Sequence, residues 1–252
     1  MPEFRSRKAL ANPELRRRGI YILPNLFTTA ALFAGFYAIV QAMTGRFEHA
    51  AVAIFIAMVM DGLDGRVARL TRTQSAFGAE YDSLSDMVSF GVAPALVMFE
   101  WAMKGMGKWG WIAAFIYCVG AALRLARFNT NIEVVDKRFF QGLPSPAAAA
   151  LIAGFVWVLM DLNYTGEEVR WYAWALTLFA GVTMVSNFRY YSGKDINLRR
   201  SVPFIAVLAI VLFFVLVSSY PPGILFALFL CYAFSGYAMA IWGWFRRRKG
   251  TV

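Results

Sequence analysis

Long oily stretches constrain this chain more than any other feature. AAVAIFIAMVM runs straight into Asp61, MVSFGVAPALVMF runs out of Asp86, and similar stretches recur almost to the C-terminus. Inside a bilayer no water satisfies backbone amides and carbonyls, so apolar runs of about 20 residues have to become helices. Composition agrees: 60% of the residues are hydrophobic, 17% are aromatic, and the mean hydropathy is +0.55. The runs place candidate spans at Leu26–Met43, His49–Leu70, Ser83–Met103, Trp109–Arg127, Pro144–Leu162, Arg170–Phe188, Val202–Ser219 and Gly223–Trp244. The expected fold is therefore all-α, a polytopic membrane bundle of about eight transmembrane helices.

Lys and Arg set the expected orientation. Arg46, Lys104, Lys108 and Arg170 fall on one side, which leaves 21 of the 25 basic residues on the other. Basic loops stay cytoplasmic, so both termini are expected in the cytoplasm, in a cell (inner) membrane. The same bias explains the net charge of +10 without nucleic acid, because the charges are spread over separate loops. They also suit anionic membrane lipids. Four regions follow: a basic cytoplasmic segment at 1–19, a membrane core at 20–200, two additional helices at 201–245 and a basic tail at 246–252. Arg16 to Arg18 before an apolar run resemble the start of a signal peptide, but the run is long and lacks a small-residue cleavage site. An uncleaved first span is expected.

Within this oil sit four aspartates, Asp61, Asp64, Asp82 and Asp86. A carboxylate at mid-membrane costs about 2.5–3.5 kcal/mol on insertion scales, so four together demand compensation. Asp61 and Asp64 lie about 60° apart on one helix face, and Asp82 and Asp86 about 40° apart on the next. Two helices joined by a short turn would aim both pairs at one point. Hard cations such as Mg²⁺ or Mn²⁺ take oxygen ligands and often share them with phosphate. A structural charge network with Arg66, Arg69 and Arg72 is the competing reading. Gly62, Gly65 and Gly78 would let a phosphate or nucleotide approach the backbone.

The pattern Asp61-x2-Asp64-Gly65-x2-Ala68-Arg69-x8-Gly78-x3-Asp82-x3-Asp86 resembles the complete signature of the CDP-alcohol phosphatidyltransferases. That resemblance implies two divalent ions held by Asp61, Asp64, Asp82 and Asp86, with Asp86 also taking the proton of the incoming hydroxyl. It implies that Arg69 binds the diphosphate while Gly62, Gly65, Ser75 and Gly78 lie against the CDP-lipid. Asn25 and Thr28 could cap the first helix, but the resemblance favours contact with the cytidine. A homodimer is implied as well. Three further stretches, at 124–130, 139–148 and 185–194, resemble the bacterial phosphatidylserine synthases within this family. The implied reaction moves a phosphatidyl group from CDP-diacylglycerol to L-serine, giving phosphatidylserine and CMP.

For the acceptor, Arg127, Asn129, Ser145 and Arg189 are the candidates, and Arg124 is expected to matter less. These arginines could instead be snorkelling anchors. Glycerol phosphate would also want arginines, so a sister enzyme using it stays open. A cation-coupled transporter is the remaining alternative, although such a site expects a second, inverted copy and the aspartate motif occurs once. The lone histidine, His49, lies on the far side from the aspartates, and Cys118 and Cys231 fall inside spans as packing residues. The last two spans read as packing or lipid-facing surface.

Overall fold

Helices occupy every predicted span in the computed structural model, which describes residues 13–130, 139–192 and 204–249. In chain order they are α1 (Pro13–Met43), α2 (Phe47–Thr71), α3 (Ala76–Asp86), α4 (Ala93–Met98), α5 (Lys108–Thr130), α6 (Ser145–Asp161), α7 (Arg170–Val185), α8 (Phe204–Ser219) and α9 (Pro221–Lys249). Leu23–Met43, Ala76–Met106, Lys108–Thr130 and Pro221–Gly243 are long and apolar enough to cross a membrane, and Ser145–Asp161 and Val207–Ser219 are shorter apolar helices. The protein is an all-α membrane helical protein. Arg5, Arg7, Lys8, Lys137, Arg138, Lys194, Arg199 and Arg200, which carried part of the charge bias, lie outside the described residues. So do positions 1–12 of the basic segment and 250–252 of the tail.

The third predicted span is one irregular rod, Ala76–Met106, in which π turns at Met87–Val92 and Phe99–Met103 flank α4. Pro94 supplies a cause for the first. It has no N–H to offer the carbonyl of Phe90, four residues back, and its ring crowds that carbonyl. The buried Tyr117 hydroxyl of α5 donates to Phe90 O instead, at 3.0 Å. The irregularity begins directly after Asp86, as π turns often do beside functional positions.

Helix α6 is the central post. Ala147 to Ala150, Leu151, Ile152 and Ala153 are all buried, and α6 packs on α2, α7 and α9. Small residues let neighbouring helices close up, as membrane interfaces favour. A Cβ at Gly120 would stand 2.5 Å from Gly181 O, so α5 and α7 touch backbone to backbone. By contrast α8 packs against α9 and leaves Ile205 and Val207 to Leu216 largely exposed. Its apolar character all round matches a lipid-facing helix.

Two short strands were not expected from sequence. β1 (Phe139–Gln141) pairs antiparallel with β2 (Arg189–Tyr191), with Phe140 opposite Tyr190. Three-residue strands carry too little alternation to be read from a pattern. They end the predicted sixth span early, at Val185, because Ser186 turns extended. Gly142 N then donates to Phe188 O at 2.9 Å and Leu143 N to Thr183 O at 3.1 Å. Gly142 has φ +76°, and a Cβ there would strike Met184 O. Tyr190 is buried and donates to Ala233 O at 2.8 Å, which docks α9 onto this ribbon.

Gly120→Ala should lower the melting temperature in detergent, because overpacking a tight contact costs about 1–3 kcal/mol. Gly105→Ala, where a Cβ meets nothing within 4 Å, is the control. Equal melting temperatures for the two variants would overturn the close α5–α7 contact.

Candidate active site

The chain between α2 and α3 turns sharply. α2 ends on Arg72 in the left-handed conformation, and Thr73 N reaches back to Ala68 O at 3.0 Å. Ser75 then caps α3, its Oγ accepting from Gly78 N at 3.0 Å. This short turn makes the two helices neighbours, and the aspartates converge as the spacing requires. Asp61, Asp64 and Asp82 each bring one carboxylate oxygen within 4.8 Å of the others. Asp86 lies close enough to Asp61 and Asp82 to interact with them electrostatically.

Carboxylates this close need either protons or cations between them. Among the described residues none of the four is in an ion pair with Lys or Arg, which leaves the competing charge network without its contacts. Asp82 Oδ1 is buried with no hydrogen-bond partner. An orphaned acceptor in an all-oxygen donor set is what a hard divalent cation would satisfy, so Asp61, Asp64 and Asp82 fit a metal.

Helix α1 supports the cluster. Thr28 is buried and donates to Asp64 Oδ2 at 2.7 Å. Two serines fix the same helix to the rod, Ser85 Oγ donating to Thr28 O at 3.1 Å and Ser89 Oγ to Ala31 O at 3.0 Å. Asn25 and Thr28 lie inside α1, which runs back through Pro24 to Pro13, so neither caps it.

Beside the aspartates opens a cavity of about 350 Å³. Asn25, Thr28, Asp64, Gly65, Arg69, Ser75, Gly78 and Asp82 line it, which brings together nearly all the residues expected at the CDP-lipid. Arg69 is exposed at its rim and within electrostatic reach of Asp64. Gly62 lies outside this lining, and a Cβ there would meet nothing within 4 Å. Protein packing thus gives no reason for glycine at 62.

Residues 21–186 match the family model for CDP-alcohol phosphatidyltransferase. The chain belongs to this family. Among curated relatives, a CDP-diacylglycerol–serine O-phosphatidyltransferase of Helicobacter pylori is 40% identical over 181 residues, 71% of this chain and 75% of the relative. A protein of the same name from Mycobacterium bovis is 38% identical over 178 residues, covering 67% and 60%. Another from Methanocaldococcus jannaschii is 39% identical over 137 residues, covering 54% and 61%. The protein is a phosphatidyltransferase, and its family is generally metal-dependent.

The acceptor candidates of this phosphatidyltransferase are scattered by comparison. Arg127 Nη1 donates to Val185 O at 3.1 Å and Asn187 Oδ1 at 3.2 Å, so it caps the end of α7. Asn129 Nδ2 donates to Ser83 Oγ at 3.0 Å, near the aspartates. Arg189 is exposed on β2. Ser145 is fully buried and accepts from Arg124 Nη1 at 2.7 Å. Arg124, expected to matter less, is the arginine that lies within electrostatic reach of Asp86 and Asp61. Helical periodicity carries the missed signal. Tyr117, Gly120, Ala121 and Arg124 form one buried face of α5, while Arg127 is only half-buried. The two last-helix tyrosines Tyr232 and Tyr237 were also missed. Tyr232 sits within reach of Arg124, and Tyr237 shares a 2.7 Å hydrogen bond with Thr183.

Gly62→Ala should keep its melting temperature, since the new methyl meets no protein atom, yet weaken CDP-lipid binding by about tenfold if the lipid uses that space. Unchanged affinity in a titration with a CDP-lipid would remove Gly62 from the binding surface.

Proposed function

We propose that the chain transfers the phosphatidyl group from CDP-diacylglycerol to L-serine, releasing CMP. Support comes from the relatives' shared name and from one feature of the site. Asp86 is within electrostatic reach of the other aspartates, which line or adjoin the cavity, and of the buried Arg124, so in this reading it can serve both substrates of a two-substrate reaction.

In this reading Asn25, Thr28, Gly62, Gly65, Arg69, Ser75 and Gly78 bind the CDP-lipid, Arg69 meeting its diphosphate. Asp61, Asp64, Asp82 and Asp86 would hold two ions, Mg²⁺ or Mn²⁺. When bound, such ions neutralise the diphosphate and stabilise charge on the departing CMP. The serine hydroxyl attacks the phosphorus that carries diacylglycerol, and the new O–P bond replaces the bond to CMP. Asp86 takes the hydroxyl proton as that bond forms, which requires base assistance only in the transition state. Thr28 holds Asp64 in orientation through its 2.7 Å bond. The acyl chains stay in the bilayer, which explains a site built on membrane helices. In this reading the same end of the bundle faces the cytoplasm from a cell (inner) membrane, the side that the basic bias favours and where serine and CMP are soluble.

Purified protein should release CMP from CDP-diacylglycerol with serine, lose that activity in excess chelator, and regain it with Mg²⁺ or Mn²⁺. Glycerol phosphate driving CMP release in place of serine would make the sister enzyme the right reading. Activity persisting in chelator would sink the metal assignment.

Asp86→Asn should lose turnover while keeping much of its affinity for the CDP-lipid, whereas Asp61→Asn and Asp82→Asn should weaken that affinity. Equal binding losses in all three would leave Asp86 without a separate role as base.

A further inference from the structure

Arg124 has an arrangement that the cluster alone does not explain. It lies in the second half of α5 and is only 9% exposed. Nη1 is committed to Ser145 Oγ, while Nε is buried with no hydrogen-bond partner. A guanidinium buried with a free donor is costly unless something else completes it. Asp86 and Asp61 are near enough to act on it electrostatically, yet neither closes onto it as an ion pair. A residue serving only to neutralise the aspartates would make that contact. The Nε donor is therefore left for a ligand to complete.

The first turn of α6 adjoins Arg124 through Ser145. Pro144 precedes it without a side-chain cap, and Pro144 and Pro146 have no N–H. The amides of Ser145 and Ala147 are therefore the donors this helix start leaves over. A helix N-terminus favours negative charge, and Arg124 reaches it through Ser145. Backbone bonds from Gly142 and Leu143 hold the approach to this turn, so its position is fixed.

We propose that Arg124 and the first turn of α6 bind the carboxylate of the acceptor amino acid, with the acceptor hydroxyl directed at Asp86. This rests on the serine reading above. The Nε edge of Arg124 offers a charge-assisted contact to a carboxylate, and lysine could not reproduce its planar fork. Arg127, already spent on the α7 carbonyls, positions this wall and does not meet the ligand.

The test compares wild type, Arg124→Lys and Arg124→Ala for binding of L-serine and of CDP-diacylglycerol, and for CMP release with serine or ethanolamine, which is serine without its carboxylate. Losing one charge-assisted contact should raise the Kd and KM for serine about tenfold or more in Arg124→Lys. CDP-lipid affinity should hold, and the preference for serine over ethanolamine should shrink. Should Arg124→Ala fail to fold, the lysine variant decides, its melting temperature serving as the check. Serine affinity unchanged in Arg124→Lys, or falling in parallel with CDP-lipid affinity, overturns the subsite and leaves the enzyme's function standing. A wild type that neither binds serine nor uses it overturns the functional reading, and the carboxylate subsite with it.

Discussion

Four carboxylates gathered in a membrane bundle, three of them with oxygens within 4.8 Å of one another, are the constraint from which the rest follows. Alone they would repel, and low surrounding polarity would magnify the repulsion. The protein does not answer with ion pairs among its described residues. It answers with position: a tight turn between α2 and α3, a threonine from α1 on Asp64, and a distant guanidinium from α5. Such a donor set fits a cation, and a ligand that binds only the folded state would add to its stability.

That arrangement explains why the helices around it are packed so unevenly. α6 is buried nearly throughout its first half, and it stands where α2, α7 and α9 meet. A rigid post there keeps Ser145 beside Arg124. α8, away from the site, has no comparable demand on it and offers its side chains outward. Rigid support of this kind is what positions reacting groups to within a fraction of an ångström.

Much of this was legible in the residues. Apolar runs located the helices, since a bilayer admits few alternatives, and the spacing of Asp61, Asp64, Asp82 and Asp86 located the cluster. Gly65, Ser75 and Gly78 line one cavity, since the short turn between α2 and α3 brings the two helix ends together. The burial of Arg124 was not legible. Arg124 and Arg127 stand three residues apart at the end of one span, whereas the buried face of α5 is set by which helix packs against it, and that is a tertiary fact. The strands at 139–141 and 189–191 had no sequence signal at all, being backbone pairings too short to impose a pattern.

The ribbon those strands form has an evolutionary meaning. It ties the start of α6 to the end of α7 with main-chain bonds, which place few demands on side-chain identity beyond Gly142 and the buried Tyr190. Its outward side chains can therefore diverge without displacing the first turn of α6. A helix start held in this way owes its position to main-chain geometry, so it tolerates change in the side chains around it.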